Sequence, residues 1–336
     1  MLAATPGAAS GQVATIGAEG DIYAKPIGSV GPALILEQGR LVVADASEHT
    51  ILLVTPIRRS VRSFGRRGQG PGEFMHISAF FRLGPQRFGV VDASVRRVSV
   101  LRIVGDSLEL ESTASTDAVG REMCSIGPRH FLHGNPVQTP LVEVEFDSNT
   151  KSLSPVGRFG QRLLPFAGDP DHPMIHEFNA IGAMGCDPAS RAIAWAPAQR
   201  GALQVVGIDN GLVQTILLPD FSGVVYTAIQ NGIRNSVPAA GYLELTERVF
   251  IARGGWLLIG QTRAGRTGAA GWWARLVSTE NSSAGQVRRA AGFAFAPIAQ
   301  QFGWTACLSS PEEDITIVFG PSSEVPCSVE RMFERR

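Results

Sequence analysis

The stretch Ser63 to Phe74, SFGRRGQGPGEF, decides how the rest of the chain is read. Its four glycines, Gly65, Gly68, Gly70 and Gly72, are separated by single or paired residues, so the backbone can take positive φ several times in a few steps. Such a segment suits neither a helix nor the middle of a strand; it is a shaped connector. On either side lie hydrophobic runs interrupted by an aspartate, RLVVADASEHTILLV from Arg40 to Val54 and RFGVVDASVRRVSVL from Arg87 to Leu101. They align without a gap, with Asp45 on Asp92, Ala46 on Ala93 and Ser47 on Ser94, an offset of 47 residues. An offset of that size is the period of a repeat architecture.

Composition narrows what such a repeat protein can do. The 336 residues carry 30 Lys plus Arg against 30 Asp plus Glu, and 44% are hydrophobic. A near-neutral folded chain lacks the concentrated positive surface that neutralises nucleic-acid phosphates. The first ten residues, MLAATPGAAS, hold no basic residue and no apolar run of signal-peptide length, and no later window reaches the ~18 apolar residues of a membrane-spanning helix. The chain is expected to be soluble, and periplasmic or otherwise extracytoplasmic with its leader outside this sequence; a cytoplasmic location stays open. Cys124, Cys186, Cys307 and Cys327 show no CxxC spacing. Cys307 and Cys327 fall in or just after the last repeat, where a disulfide between them and buried free thiols are both open.

Glycine or proline interrupts most candidate helices, whereas runs of four to eight residues bounded by turn formers recur throughout. The first repeat reads as four short strands, Ala33 to Glu37, Leu41 to Ala44, Thr50 to Val54 and Val61 to Phe64. Four antiparallel strands in about 45 residues make one propeller blade. The chain is therefore expected to be one all-β domain, a six-bladed β-propeller with four-stranded blades near 30–74, 75–120, 121–165, 175–222, 238–285 and 288–325, and with residues 12–16 closing the ring. Asn231 to Gly241 reads as a loop, because asparagine, proline and glycine recur in it. A β-sandwich with a second domain is the alternative fold.

The connector and the aspartate-bearing runs resemble the six-bladed propellers of the NHL-repeat type, particularly their bacterial exported relatives. In that family a GRxGxGPGEF connector precedes a strand, and a hairpin of the form xIYVADxxNxRIxxF follows. Here the connector is Gly65 to Phe74, and the hairpin is Leu41 to Asp45 leading to Thr50 to Val54. The likeness is specific over Leu34 to Leu101, fades to Phe159-Gly160 in the third repeat, and is strand periodicity alone beyond it. The family's Asn-Arg pair is replaced by Glu48-His49 in the first repeat and by Arg96-Arg97 in the second. Asp45 and Asp92 are expected to accept bonds from backbone N–H groups two residues on. Glu73 is expected to neutralise Arg66 or Arg67 or to tie a turn, and Phe74 to plug the space between blades.

Two functional readings follow. Four of the six histidines lie in HFLHG, with His130 and His133, and in GDPDHPMIHEF, with His172 and His176. Brought together near the axis they could hold one zinc or calcium ion for a hydrolase or lyase acting on a small polar substrate. The related amidating lyases and calcium-dependent lactone hydrolases offer no match to carry across, although Asn179, Asn235 and Glu244 are of the residue types that hold calcium in the latter. The preferred reading is a non-catalytic propeller that binds another protein, for example as an extrinsic subunit of a membrane-associated complex, without cofactor or metal. Trp256, Trp272 and Trp273 are then candidates to anchor the partner, since tryptophan dominates interface hot spots. A carbohydrate-binding platform ranks third.

Overall fold

The computed structural model describes residues 14–16, 27–37, 39–118, 120, 122–133, 141–160, 172–175, 181–229, 232–236, 242–252, 255–264, 271–278, 287–293, 295–301, 304–309, 317–327 and 332–333. Strand β1 (Ala14–Ile16) comes first. Blade one follows as β2 (Val30–Leu36), β3 (Arg40–Asp45), β4 (Thr50–Thr55) and β5 (Ser60–Phe64). Blade two holds β6 (Ile77–Gly84), β7 (Arg87–Asp92), β8 (Arg97–Val104) and β9 (Ser107–Ser115). Blade three holds β10 (Glu122–Ile126), β11 (Arg129–His133), β12 (Leu141–Phe146) and β13 (Leu153–Phe159). Blade four holds β14 (Gly182–Asp187), β15 (Ala192–Pro197), β16 (Ala202–Gly207) and β17 (Val213–Leu217). An extra two-stranded sheet, β18 (Val225–Ile229) and β19 (Gly232–Ser236), precedes blade five. That blade holds β20 (Tyr242–Ala252), β21 (Gly255–Ala264), β22 (Gly271–Val277) and β23 (Val287–Phe293). Blade six holds β24 (Phe295–Gln301), β25 (Trp304–Ser309) and β26 (Ile317–Pro321), and β1 pairs antiparallel with β26.

The arrangement is a six-bladed all-β propeller, in which the first strands of the blades lie innermost. Period-2 alternation explains how each sheet serves two neighbours. In β3, Val42 and Ala44 pack with Phe80, Phe88 and Val90 of blade two, while Leu41 and Val43 pack with Ile298, Ala306 and Phe319 of blade six. A blade buried on both faces reads as an unbroken hydrophobic run, as LVVA does here. The remaining seams have their own clusters: Phe81 with Leu132 and Val144, Phe131 with Ile193 and Trp195, Leu203 with Trp256 and Trp273, and Leu257 and Trp272 with Cys307.

The repeat seen in the sequence is a repeat of hydrogen bonding. Asp45 Oδ1 accepts from the Ser47 N–H at 3.2 Å, the Ser47 hydroxyl at 2.6 Å and the Glu48 N–H at 3.3 Å. Asp92 Oδ1 accepts from the Ser94 and Val95 N–H groups at 3.1 and 3.4 Å. The residues at the following turn, His49 and Arg96, both adopt left-handed backbone, with φ of 56° and 49°. Asp92 also accepts the N–H groups of Met75 and His76 at 2.7 and 3.1 Å, which fastens the hairpin to the end of the connector.

Within the connector, Glu73 does both of the jobs expected of it. Its carboxylate takes the Gly70 N–H at 2.8 Å and Arg66 Nε at 2.8 Å, and these contacts hold its pKa below the usual range. Gly65 has φ of +91°, and a Cβ there would stand 2.6 Å from the Phe74 ring, so both conformation and space demand glycine. Phe74 is fully buried between blades one and two. Arg97 donates to the carbonyls of Gln69, Gly70 and Glu73, so the second of the two arginines after Asp92 caps the connector from the next hairpin.

Several boundaries differ from the sequence reading. Gly232–Ser236, expected as loop, is β19, with Ile229 opposite Gly232 and Tyr226 opposite Asn235. Glycine and asparagine punctuate hairpins as well as loops, and the alternation that flanks them decides between the two. The fifth blade extends to Phe293, because β23 pairs with β22, and β24 begins at Phe295 with one residue between. No cluster of turn formers marks that junction, so Ala291 to Ala296 reads as one strand when two blades share it.

All four cysteines are paired: Cys307 with Cys327, and Cys124 with Cys186. The free-thiol alternative is thereby overturned. The second bond joins β10 to β14 across the seam between blades three and four, a pairing that only the ring brings about.

Candidate functional site in the central channel

The histidines do not converge. His130 and His133 stand three apart on β11, and an odd spacing on a strand sends side chains to opposite faces. His130 lies edge-on to Phe81 at 5.2 Å on the blade-two side, its Nδ1 2.8 Å from Ser125 Oγ, and burial pushes its pKa down to about 4. His133 stacks on Trp195 at 5.8 Å on the blade-four side. One metal cannot take both. His172 turns its Nδ1 to the Met174 N–H at 3.2 Å, and His176 lies outside the described residues. Among the described residues no three of His, Cys, Asp and Glu are grouped to hold a metal ion. Of the calcium-type candidates, Glu244 is buried in an ion pair with Arg275 at 2.8 Å and accepts the Ser222 N–H at 2.9 Å; Asn179 lies outside the described residues.

The tryptophans are interior as well. Trp256 and Trp273 belong to the cluster between blades four and five, and Trp272 to that between five and six. Relative exposures of 2%, 0% and 5% remove them as surface anchors. Their apolar area is used by the seams, where a propeller with blades of this width needs bulk.

The polar chemistry that the ring does assemble sits on the innermost strands. Glu122 opens β10, and its Oε2 accepts the Met184 N–H of β14 at 2.6 Å. That N–H is on the edge of β14 turned away from β15, which is the channel side. Arg248 of β20 reaches across β14 to place Nη1 3.1 Å from Glu122 Oε1, and the same Nη1 donates to the Glu247 carbonyl at 2.9 Å. Three consecutive blades thus meet at one carboxylate. Burial pushes the Glu122 pKa up to about 7; Arg248 and the Met184 N–H oppose the rise and the nearby Glu247 adds to it. The Glu122 and Arg248 side chains retain 21% and 29% exposure, so water reaches the pair.

A second tie crosses the other three blades. Arg82 of β6 donates through Nη2 to the Ile35 carbonyl of β2 at 2.7 Å and to Gln301 Oε1 of β24 at 3.0 Å. Glu37 stands 4.0 Å from its Nη1. The two arrangements bind blades three to five and two, one and six. Neither was found from the sequence, since Glu122, Arg248, Arg82 and Gln301 belong to different repeats and match no motif. Arg82 alone leaves a trace, as a charged residue within the apolar inner strand β6.

The β18–β19 hairpin forms a sheet separate from the blades and is anchored through one face. Tyr226 is buried, its hydroxyl 3.0 Å from Gln199 Oε1 and its ring 4.6 Å beneath the Arg200 guanidinium, and it packs with Ile175 and Val224. Val225, Thr227 and Ile229 alternate with it and face solvent.

These features define a six-bladed β-propeller with a cross-braced channel. No protein-family model matches the sequence, and no curated protein matches it. The fold is similar to that of a DUF4221-family member from Bacteroides vulgatus, at 8% identity over 93% of this chain and 96% of that one, with a TM-score of 0.56. Kuenenia stuttgartiensis hydrazine synthase aligns at 11% identity over 85% and 78%, with a TM-score of 0.46. A putative exported protein from Bacteroides fragilis aligns at 8% identity over 88% and 90%, with a TM-score of 0.48. At such identities the likeness is one of fold alone.

Proposed function

We propose that the protein is an exported, non-catalytic propeller of the NHL-repeat type that binds another protein through the β18–β19 hairpin. The observation that carries this reading is the hairpin itself. A two-stranded sheet is marginal on its own, and here it stands outside the six blades, held by Tyr226, with Val225 and Ile229 exposed at 44% and 46%. An apolar stripe on an appended element, fixed to a rigid scaffold, suits recognition better than it suits packing. Two disulfides support the extracytoplasmic placement, because such bonds persist in oxidising compartments. No helix among the described residues is long and apolar enough to cross a membrane.

A photoreactive amino acid at position 229, introduced in intact cells, is expected to give one adduct of defined mass. The V225S/T227A substitutions beside it are expected to abolish that adduct while leaving the circular dichroism unchanged. Absence of any adduct, or an adduct indifferent to those changes, would refute the reading.

A further inference from the structure

The Glu122–Arg248 pair is held by more than its own contacts. The Cys124–Cys186 disulfide joins the same two strands, β10 and β14, two residues further along from Glu122 and Met184. It therefore fixes the spacing at which the carboxylate meets the Met184 N–H. Among the described residues Arg248 donates through Nη1 to Glu122 and to the Glu247 carbonyl, and its side chain is part-exposed. The site thus offers a planar cation, a backbone N–H directed into the channel, and a carboxyl group between them. A planar fork of this kind matches a carboxylate in shape and charge.

We propose that the central channel binds a small monocarboxylate, taken by Arg248 and the Met184 N–H at the place the ionised Glu122 side chain now fills. A single arginine balances one negative charge, which favours a monoanion over a phosphate dianion. Binding is linked to proton uptake. The groups facing Glu122 are Met184 on β14, Arg248 and Glu247 on β20, and His133, its cross-strand neighbour on β11. With Glu122 ionised, Arg248 is already satisfied and an entering carboxylate meets a like charge. With Glu122 protonated, Arg248 is released, and the carboxyl O–H can donate to the ligand. The proton comes from solvent and no covalent bond changes.

Titration calorimetry with sodium propionate, propionamide and inorganic phosphate tests this on the full chain with its disulfides intact. Propionate is expected to bind about tenfold more tightly at pH 6 than at pH 8, with uptake of a proton seen in buffers of different ionisation heat. Propionamide and phosphate are expected to bind at least tenfold more weakly than propionate. E122Q is expected to bind propionate with equal affinity at both pH values, and R248Q to lose binding. If R248Q does not fold, the wild-type pH dependence and E122Q decide the matter. No heat with millimolar propionate at pH 6, pH dependence surviving in E122Q, a folded R248Q that binds as the wild type does, or preference for phosphate would each overturn the proposal.

Discussion

Cys124 and Cys186 join the innermost strands of blades three and four with their Cα atoms 5.7 Å apart and a sequence separation of 62. Cys307 and Cys327 close a much shorter segment, with a separation of 20. Loop-closure entropy makes the longer staple worth more, about 4 kcal/mol against about 3 kcal/mol. Guanidinium unfolding of C124S/C186S and C307S/C327S is expected to show that order. The reverse order would mean that native packing, and not the constraint on the unfolded chain, dominates.

The two repeat aspartates are equally buried and unequally connected. Among the described residues Asp92 accepts four backbone N–H groups, two of them from Met75 and His76 just after the connector, whereas Asp45 accepts two N–H groups and a hydroxyl, all from its own turn. Leaving buried donors unmatched costs about 1–3 kcal/mol each. D92A is expected to destabilise by about 3 kcal/mol and D45A by about 1–2 kcal/mol, measured by denaturant midpoints. Equal effects would show that the connector is held without Asp92.

Glu122 and His130 predict opposite responses to pH. The folded Glu122 pKa of about 7 lies above the ordinary 4.5, so between those values the native chain holds a proton that the unfolded chain has lost, and stability falls as pH rises through that window. The folded His130 pKa of about 4 lies below the ordinary 6.5, so the unfolded chain binds the extra proton and stability falls as pH drops from 6.5 toward 4. Each slope approaches about 1.4 kcal/mol per pH unit at most, and in the wild type they partly cancel. Thermal melts from pH 4 to 8 are expected to show E122Q gaining stability up to about pH 6.5 and then levelling. H130Q is expected to lose stability steadily toward pH 7. Parallel profiles for the two variants would contradict both assignments.

The pairing of Ala14, Thr15 and Ile16 with Phe319, Val318 and Ile317 predicts that the N-terminal strand closes the ring. Removing residues 1–16 uncovers the edge of β26, a template for other chains. The truncated protein is expected to lose about 2–3 kcal/mol, at about 1 kcal/mol for each ladder bond, and to form oligomers on size exclusion. An unchanged, monomeric product would show that blade six stands on three strands.

What could be read from residues was whatever a single repeat contains. The SFGRRGQGPGEF connector, the Asp45 and Asp92 turns, the Glu73 tie and the Phe74 plug all depend on partners within about thirty residues. Glycine spacing and period-2 alternation announce such contacts directly. The β19 strand was hidden because Asn, Gly and Pro punctuate loops and hairpins alike. The shared boundary at Phe293 and Phe295 was hidden because one continuous extended stretch served two blades.

The chain's own order of apolar and turn-forming residues determined that strands of this length would form, that they would group in fours, and that several groups would stack into a ring. Only the closed tertiary structure decided which side chains meet at the centre. Glu122, Met184 and Arg248 come from three different blades, and Cys124 finds Cys186 only because their strands stand side by side at the axis. Local pattern fixes the direction of a side chain relative to its own sheet. The distance between sheets is set by how all six seams pack, and no single repeat carries that information.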